Sequence, residues 1–225
     1  PEAGKTSAGR VIQNVIQLPK DDKVRAYIMI EDLKDEDFLN NNYIVFCTKK
    51  GIIKKTVVEA FSRPRVNGIN AITINEGDQL LEVKLTNGQQ NIILANKKGR
   101  AIHFPEAKVR SMGRNAAGVK GMTLSGNDDE IIGMITVDPL DETISVMVLS
   151  EKGNGKRSSL DDYRITNRGG KGVKTMQITN KTGHLIAIKA VTDLDELMVT
   201  TMEGIVIRIA LSDLRIMGRA TQGVR

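Results

Sequence analysis

A tight turn closed by glycine returns along this chain about every fifty residues. It occurs as Lys49-Lys50-Gly51, Lys97-Lys98-Gly99, Glu151-Lys152-Gly153 and Met202-Glu203-Gly204, with intervals of 48, 54 and 51 residues between the glycines. Self-similarity at such a period marks a repeat architecture, in which one unit cannot bury its apolar face alone. Strand-like runs precede each turn: Tyr43 to Cys47, Asn91 to Ala95, Ser145 to Leu149 and Leu197 to Thr201. Others follow, as in Ile52-Ile53, Ala101-Ile102 and Ile205-Val206-Ile207. Short Gly turns between β-branched runs predict hairpins.

A second marker glycine, at Gly68, Gly118, Gly172 and Gly223, follows the turn glycine by 17, 19, 19 and 19 residues. The sequences around it align as an arm: 109–120, 163–174 and 214–225, with 61–69 a version two residues shorter. Lys5-Thr6-Ser7-Ala8-Gly9-Arg10 reads as the tail of a further copy. After each marker, apolar residues at +1, +4 and +6 (Ile69, Ile72, Ile74; Val119, Met122, Leu124; Val173, Met176, Ile178) predict a third strand. A polar turn and one more strand follow, at Leu80 to Leu85, Ile131 to Val137 and Leu185 to Val191. Repeated four-stranded units read as an all-β, propeller-like array of blades forming one domain over 1–225. The acidic piece Glu31 to Phe38 is either a short helix or a loop insertion.

Hydrophobic residues make up 40% but aromatics only 3%, with no Trp, so the core must be Val, Ile, Leu and Met, and Trp-Asp propeller signatures are excluded. Cys47 is alone, inside an apolar run, where a packed thiol fits better than a reactive one; the composition suits a reducing cytoplasm. No apolar run approaches the length of a membrane span. The chain opens at Pro1 without a signal peptide, as expected for a piece of a longer protein.

The charge is organised by the repeat. The segments 52–70, 100–120, 154–174 and 205–225 hold nineteen Lys and Arg against five carboxylates, while the remainder holds fourteen against twenty-two. The candidate contacts for an anionic partner are eighteen of these nineteen cations, Lys54, Lys55, Arg63, Arg65, Arg100, Arg110, Arg114, Lys120, Lys156, Arg157, Arg164, Arg168, Lys171, Lys174, Arg208, Arg215, Arg219 and Arg225, together with Gly169, Gly170 and Gly172. Several recur in register: Arg110, Arg164 and Arg215 at −8 from the marker glycine, Arg114, Arg168 and Arg219 at −4, and Lys120, Lys174 and Arg225 at +2. Units arranged around an axis would place equivalent cations on one rim. A band of that kind suits duplex DNA, whose regularly spaced phosphates release counterions when neutralised.

The most basic arm, Tyr163 to Lys174, packs four cations and three glycines (Gly169, Gly170 and Gly172) into twelve residues. Read alone it could be a solvated loop, a phosphate loop or a nucleic-acid contact. A P-loop needs G-x-x-x-x-G-K-[ST]; here Thr166 occupies the first Gly position and Gly172 follows Lys171, so the match fails. Gly153-Asn154-Gly155 lacks the third glycine of a dinucleotide loop, Ser158 standing there. His103 and His184 are isolated, and one Cys offers no metal set. Asp161-Asp162 suit a turn better than a paired-carboxylate site. Tyr163 and Phe61 hold matching positions before the arm and are expected to pack beneath it. No catalytic residue can be singled out.

The arms at Tyr163 to Lys174 and at Arg215 to Arg225 resemble the C-terminal domain of bacterial DNA gyrase A, and the resemblance covers essentially the whole chain. It implies a β-pinwheel of four-stranded blades, from a family of six repeats of which about five, truncated at the ends, are present here. It implies duplex DNA wrapped round a basic perimeter, with the rest of gyrase A and with gyrase B as partners in an A2B2 topoisomerase. ATP and Mg, and the DNA-cleaving tyrosine, would belong to other parts of that enzyme, so no cofactor is expected here. The family's characteristic box ends Arg-Gly-Gly-Lys-Gly and sits in the first repeat. Here Arg168 to Gly172 follows Thr166-Asn167 in a late arm, which makes it a box-like copy, with the box itself expected upstream. The C-terminal domain of a topoisomerase IV and a protein-docking propeller with a basic rim are the alternatives.

Overall fold

Each of the four Gly turns closes an antiparallel hairpin. The computed structural model describes residues 8, 22–30, 32–65 and 67–224. The copy expected at Lys5 to Arg10 lies, but for Ala8, outside the described residues, as does Arg225. The first unit opens with a short helix, α1 (Glu36–Asn41), whose N-cap Asp35 accepts a hydrogen bond from the Phe38 amide. Of the described residues of the acidic piece, only those from Glu36 on are helical: Asp35 caps the helix, whereas Asp32 accepts from the Lys34 amide. The strands β1 (Tyr43–Thr48), β2 (Ile52–Val57) and β3 (Leu80–Thr86) follow. The second unit contributes β4 (Asn91–Asn96), β5 (Arg100–Pro105), β6 (Val119–Lys120) and β7 (Ile131–Val137). The third contributes β8 (Ser145–Ser150), β9 (Gly155–Ser159), β10 (Val173–Lys174) and β11 (Leu185–Val191), and the fourth the hairpin β12 (Glu196–Thr200) and β13 (Val206–Ala210).

The sheets do not follow the unit boundaries. Their orders are β3-β1-β2-β6, β7-β4-β5-β10 and β11-β8-β9. The outer edge of each of the first three hairpins is therefore covered by the arm of the next unit: Ile53 pairs with Val119, Ala101 with Val173, and Gly155 bridges to Val224 in the third blade. This corrects the expectation of a full strand after each marker. That strand is two residues long, and residues 69–74 form none among those described. The ladder ends because the chain turns inward. The amides of Gly121 and Met122 both reach the Gly51 carbonyl, and those of Thr175 and Met176 both reach that of Gly99. Met122 and Met176 then enter the core, each 1% exposed.

Those cores lie between blades. In the first three blades the first strand of the hairpin is central in its sheet and largely buried on both faces, so its alternate residues feed two different cores. In β4, Ile92 and Leu94 pack with Val45, Cys47 and Ile53 of the first blade. Ile93 and Ala95 pack with Val146 and Val148 of the third. The thiol of Cys47 is wholly inside, and burial pushes its pKa far up. Tyr163 is buried beneath its arm, its hydroxyl 2.5 Å from Thr175 Oγ1. Phe61 leans on Phe46, with ring centroids 6.2 Å apart.

The marker glycines are where one backbone crosses another. Gly172 has φ +68°, and a Cβ there would overlap the Ala101 carbonyl oxygen. A Cβ at Gly118 or Gly223 would lie 2.6 or 2.5 Å from the carbonyl oxygen of Ile53 or Gly155. Gly172→Ala should therefore destabilise the domain by more than ~2 kcal/mol, combining the left-handed backbone penalty with a backbone clash. Gly68→Ala should cost only about 1 kcal/mol, since its φ is +74° but no atom lies within 4 Å. Denaturant midpoints of the two variants check this, and equal losses would count against it.

Candidate nucleic-acid interface

The second, third and fourth arms each begin by running beside the outer strand of the preceding unit. The amides of Met112, Thr166 and Met217 donate to the carbonyls of Lys55, His103 and Arg157, at 2.8, 2.8 and 2.7 Å. The arm then turns and returns through its marker glycine. Neighbouring arms are stitched to one another by a bond that also repeats: Thr73 N–H to Ala116 O, Thr123 N–H to Gly170 O, and Gln177 N–H to Thr221 O, at 3.3, 2.9 and 3.1 Å. Arginine side chains add a second stitch. Arg168 donates through Nη1 to Lys120 O at 3.0 Å and through Nε to Lys108 O at 3.0 Å. Arg219 donates to Lys174 O at 2.7 Å. The result is an unbroken row of arms, 61–70, 109–120, 163–174 and 214–224.

The sequence-derived contacts divide into three groups on this row. Arg63, Arg65, Arg110, Lys120, Arg164, Lys171, Lys174, Arg208 and Arg215 are exposed. Among them Arg208 lies off the arms, on β13, where it is ion-paired with Glu196. A second group, Arg100, Arg114, Arg168 and Arg219, is half-buried. Arg100 brackets the glycine-rich loop, donating to Lys171 O at 3.0 Å and to Gly172 O at 2.6 Å. The loop's glycines are structural: Gly169 N–H reaches Gly121 O at 2.6 Å, and Thr123 Oγ1 donates to Gly169 O at 2.6 Å. Arg225 lies outside the described residues.

The third group is a correction. Lys54, Lys55, Lys156 and Arg157 are buried, at 0%, 6%, 2% and 4% exposure, and cannot reach an external partner. Their charges are spent on the arm that covers them. Lys54 Nζ donates to Ala71 O at 2.5 Å and to Arg114 O at 2.5 Å. Lys156, at the same register, donates to Gly218 O at 2.8 Å and to Arg219 O. One position on, Lys55 donates to Glu106 O at 3.0 Å and Arg157 to Leu211 O at 3.1 Å. Arg157 also meets Asp193 at 2.5 Å. His103 holds the equivalent place in the second blade, its Nδ1 2.7 Å from Tyr163 O. The signal for burial was present in the repeat: Ile102, 1% exposed, occupies the position of Lys54 and Lys156. Ile207 holds that place in the fourth unit and is exposed.

The pattern of four hairpins, each followed by an arm, has a counterpart among known proteins. The family model described as "DNA gyrase C-terminal domain, beta-propeller" matches residues 42–87, 90–138, 145–192 and 195–225, one segment for each unit. This chain belongs to the DNA gyrase C-terminal domain family. It is 41% identical over all 225 residues to the DNA gyrase A protein of Staphylococcus aureus (strain NCTC 8325), covering 25% of that protein. The chain thus spans about a quarter of the length of the curated relatives it matches. Its fold superposes on the solved C-terminal domain of a DNA topoisomerase IV with TM-score 0.85 at 27% identity, over 96% of this chain and 65% of that one. It superposes on a solved DNA gyrase A C-terminal domain with TM-score 0.82 at 23% identity, over 96% and 69%. The expected propeller-like array of blades is the gyrase-family fold.

Within this gyrase-family domain the interior lysines leave a titration signature. Burial, reinforced by the Arg114 charge, pushes Lys54 down to about 8. Burial does the same to Lys156, also to about 8, with Asp162 opposing and Arg219 adding to the fall. A lysine with a folded pKa below its unfolded 10.5 binds fewer protons when folded, so its penalty is full below pH 8 and relieved as pH rises from about 8 to 10.5. Above pH 9 the buried Cys47 thiol works the other way, because only the unfolded chain can ionise it. Between pH 7.5 and 9, then, unfolding free energy should rise with pH, by at most about 1.4 kcal/mol per unit for each lysine. Lys54→Met and Lys156→Met should flatten that slope in denaturant titrations; an unchanged slope would exclude the assignment.

Proposed function

We propose that this domain binds duplex DNA without reading its sequence and bends it along the row of arms. The observation that carries this is the exposure of Arg110, Arg164 and Arg215 at one register, and of Lys120 and Lys174 at another, on arms that are hydrogen-bonded side by side. Cations repeated on a continuous track match a partner whose charge also repeats, and phosphate contact alone supplies affinity without base readout. The arm aromatics support backbone contact over base stacking, since Tyr163 is 1% exposed. In the longer protein the domain serves a gyrase: it holds a wrapped segment so that an A2B2 enzyme of gyrase A with gyrase B, working in the cytoplasm, introduces negative supercoils using ATP hydrolysed elsewhere. It contributes no catalytic group of its own. The 41% identity to a gyrase A protein over all 225 residues supports the gyrase reading.

Binding to a duplex of random sequence should weaken steeply with salt, by about 10³–10⁵-fold between 50 and 200 mM if six to ten phosphates are engaged. Reversing Arg110, Arg164, Lys171 and Arg215 to Glu should lower both affinity and salt slope while leaving the thermal midpoint nearly unchanged, because all four are exposed. Closing nicked circles on the bound domain should trap a linking difference if the DNA is wrapped. A domain that instead docks an acidic protein would leave the circles unchanged and bind duplex weakly or not at all.

A further inference from the structure

The seams between successive arms are not all built alike. At the seam between the second and third arms, the Arg168 guanidinium fills the gap by donating to Lys120 and Lys108 carbonyls. At the next seam Arg219 does so by donating to Lys174 O. The first seam breaks the pattern. Asn70 stands where Lys120 and Lys174 stand in the later arms, and Arg65 lies on the shortened first arm. Among the described residues, the Arg114 guanidinium makes no bond to the Asn70 carbonyl. A concave pocket of about 260 Å³ opens instead, lined by Arg65, Gly68, Ile69, Asn70, Arg114 and Asn115.

This pocket has the chemistry of an anion site. Arg65, Arg114, Asn70 and Asn115 line it, and no Asp or Glu does among the described residues. Its walls are held fast. Thr73 donates through Oγ1 to Asn115 O at 2.7 Å and through its amide to Ala116 O. The buried Lys54 ammonium ties Ala71 O to Arg114 O, so a third positive charge lies beside the same seam. Arg114 already counts against that ammonium; like charges held this close are relieved by an anion between or above them. Guanidinium forks match the geometry of phosphate oxygens. The volume admits a phosphate group together with several waters, at roughly 30 Å³ each.

We propose that the seam between the first and second arms is a discrete phosphate seat, held by Arg65 and Arg114 with the amides of Asn70 and Asn115. The seat takes a phosphate group from either of two sources, free phosphate or the phosphodiester of a nucleic-acid backbone. It stands apart from the DNA reading above, because free phosphate can fill it whether or not the arms carry a duplex.

Titration of the full 225-residue chain with inorganic phosphate at low ionic strength tests it, followed by calorimetry and by the arginine side-chain NMR signals. One saturable site is expected, perturbing Arg65 and Arg114. Arg65→Ala and Arg114→Ala should each weaken it by about 10- to 100-fold, the loss of a charged hydrogen-bonding partner, while Arg164→Ala and Arg215→Ala leave it intact. Arg65 is exposed, so its variant should fold even if that of Arg114 does not; Arg65→Lys, which keeps the charge and loses the fork, should fall between. Displacement of phosphate by duplex DNA assigns the seat to the backbone, and duplex binding without displacement assigns it to free phosphate. Phosphate binding without any duplex binding would retain the seat and defeat the DNA reading. Non-saturable binding, or equal loss from Arg164→Ala, would overturn the seat itself.

Discussion

The outer strand of a hairpin carries a row of N–H and C=O groups that must be paired or hidden. In this domain the pairing comes from the following repeat, through two residues at Val119–Lys120 and Val173–Lys174, and most else depends on it. Because the returning backbone passes against the Ala101 and Ile53 carbonyls, the marker position must be glycine. Because the return is so short, the next residues, Met122 and Met176, drop into the inter-blade cores. The arm that faces outward is thus also the clasp that closes the blade behind it. Surface function and folding are carried by the same twelve residues.

That double duty explains why the basic segments contain cations of two kinds. Lys54, Lys55, Lys156 and Arg157 face inward and donate to carbonyls of an arm or of the residues flanking it. A charge without a counter-charge is costly to bury. At Lys54 and Lys156 backbone dipoles take the place of the counter-ion, while Lys55 and Arg157 also face the carboxylates of Glu106 and Asp193. The outward cations keep their hydration and their freedom to meet a partner. Arg168 and Arg219 stand between the two kinds, with part of the guanidinium engaged on the neighbouring arm. Shape along the row is therefore maintained by arginine and lysine as much as by the apolar cores.

Much of this was legible in the residues. The period, the hairpins and the all-β class follow from glycine spacing and β-branched runs, because those are local signals. The central strand run Ile92 to Ala95, apolar at every position, was legible as a strand; that it is buried on both faces came from the structure. Two things were hidden. The exchange between units is one, since a two-residue strand has no periodicity and its partner lies more than sixty positions earlier. The other is the fate of individual cations: a count treats Lys54 and Arg110 alike, although one sits mid-strand and the other in an arm. Only the alignment of Lys54 with Ile102 distinguishes them. The pocket at the first seam was hidden as well, because it joins Asn70 to Arg114, which are far apart in the chain.

The exchange also sets a clock for a chain emerging from the ribosome. Ile53 cannot be covered until Val119 has been made, sixty-six residues later, and Ala101 waits seventy-two for Val173. At roughly 5–20 residues per second, each hairpin spends on the order of 3–14 s with its outer edge open. During that interval its only available partners are other strand edges, including those of neighbouring nascent copies. Synthesis rate, temperature and holdase chaperones should therefore govern the yield of this fold more strongly than its final stability does.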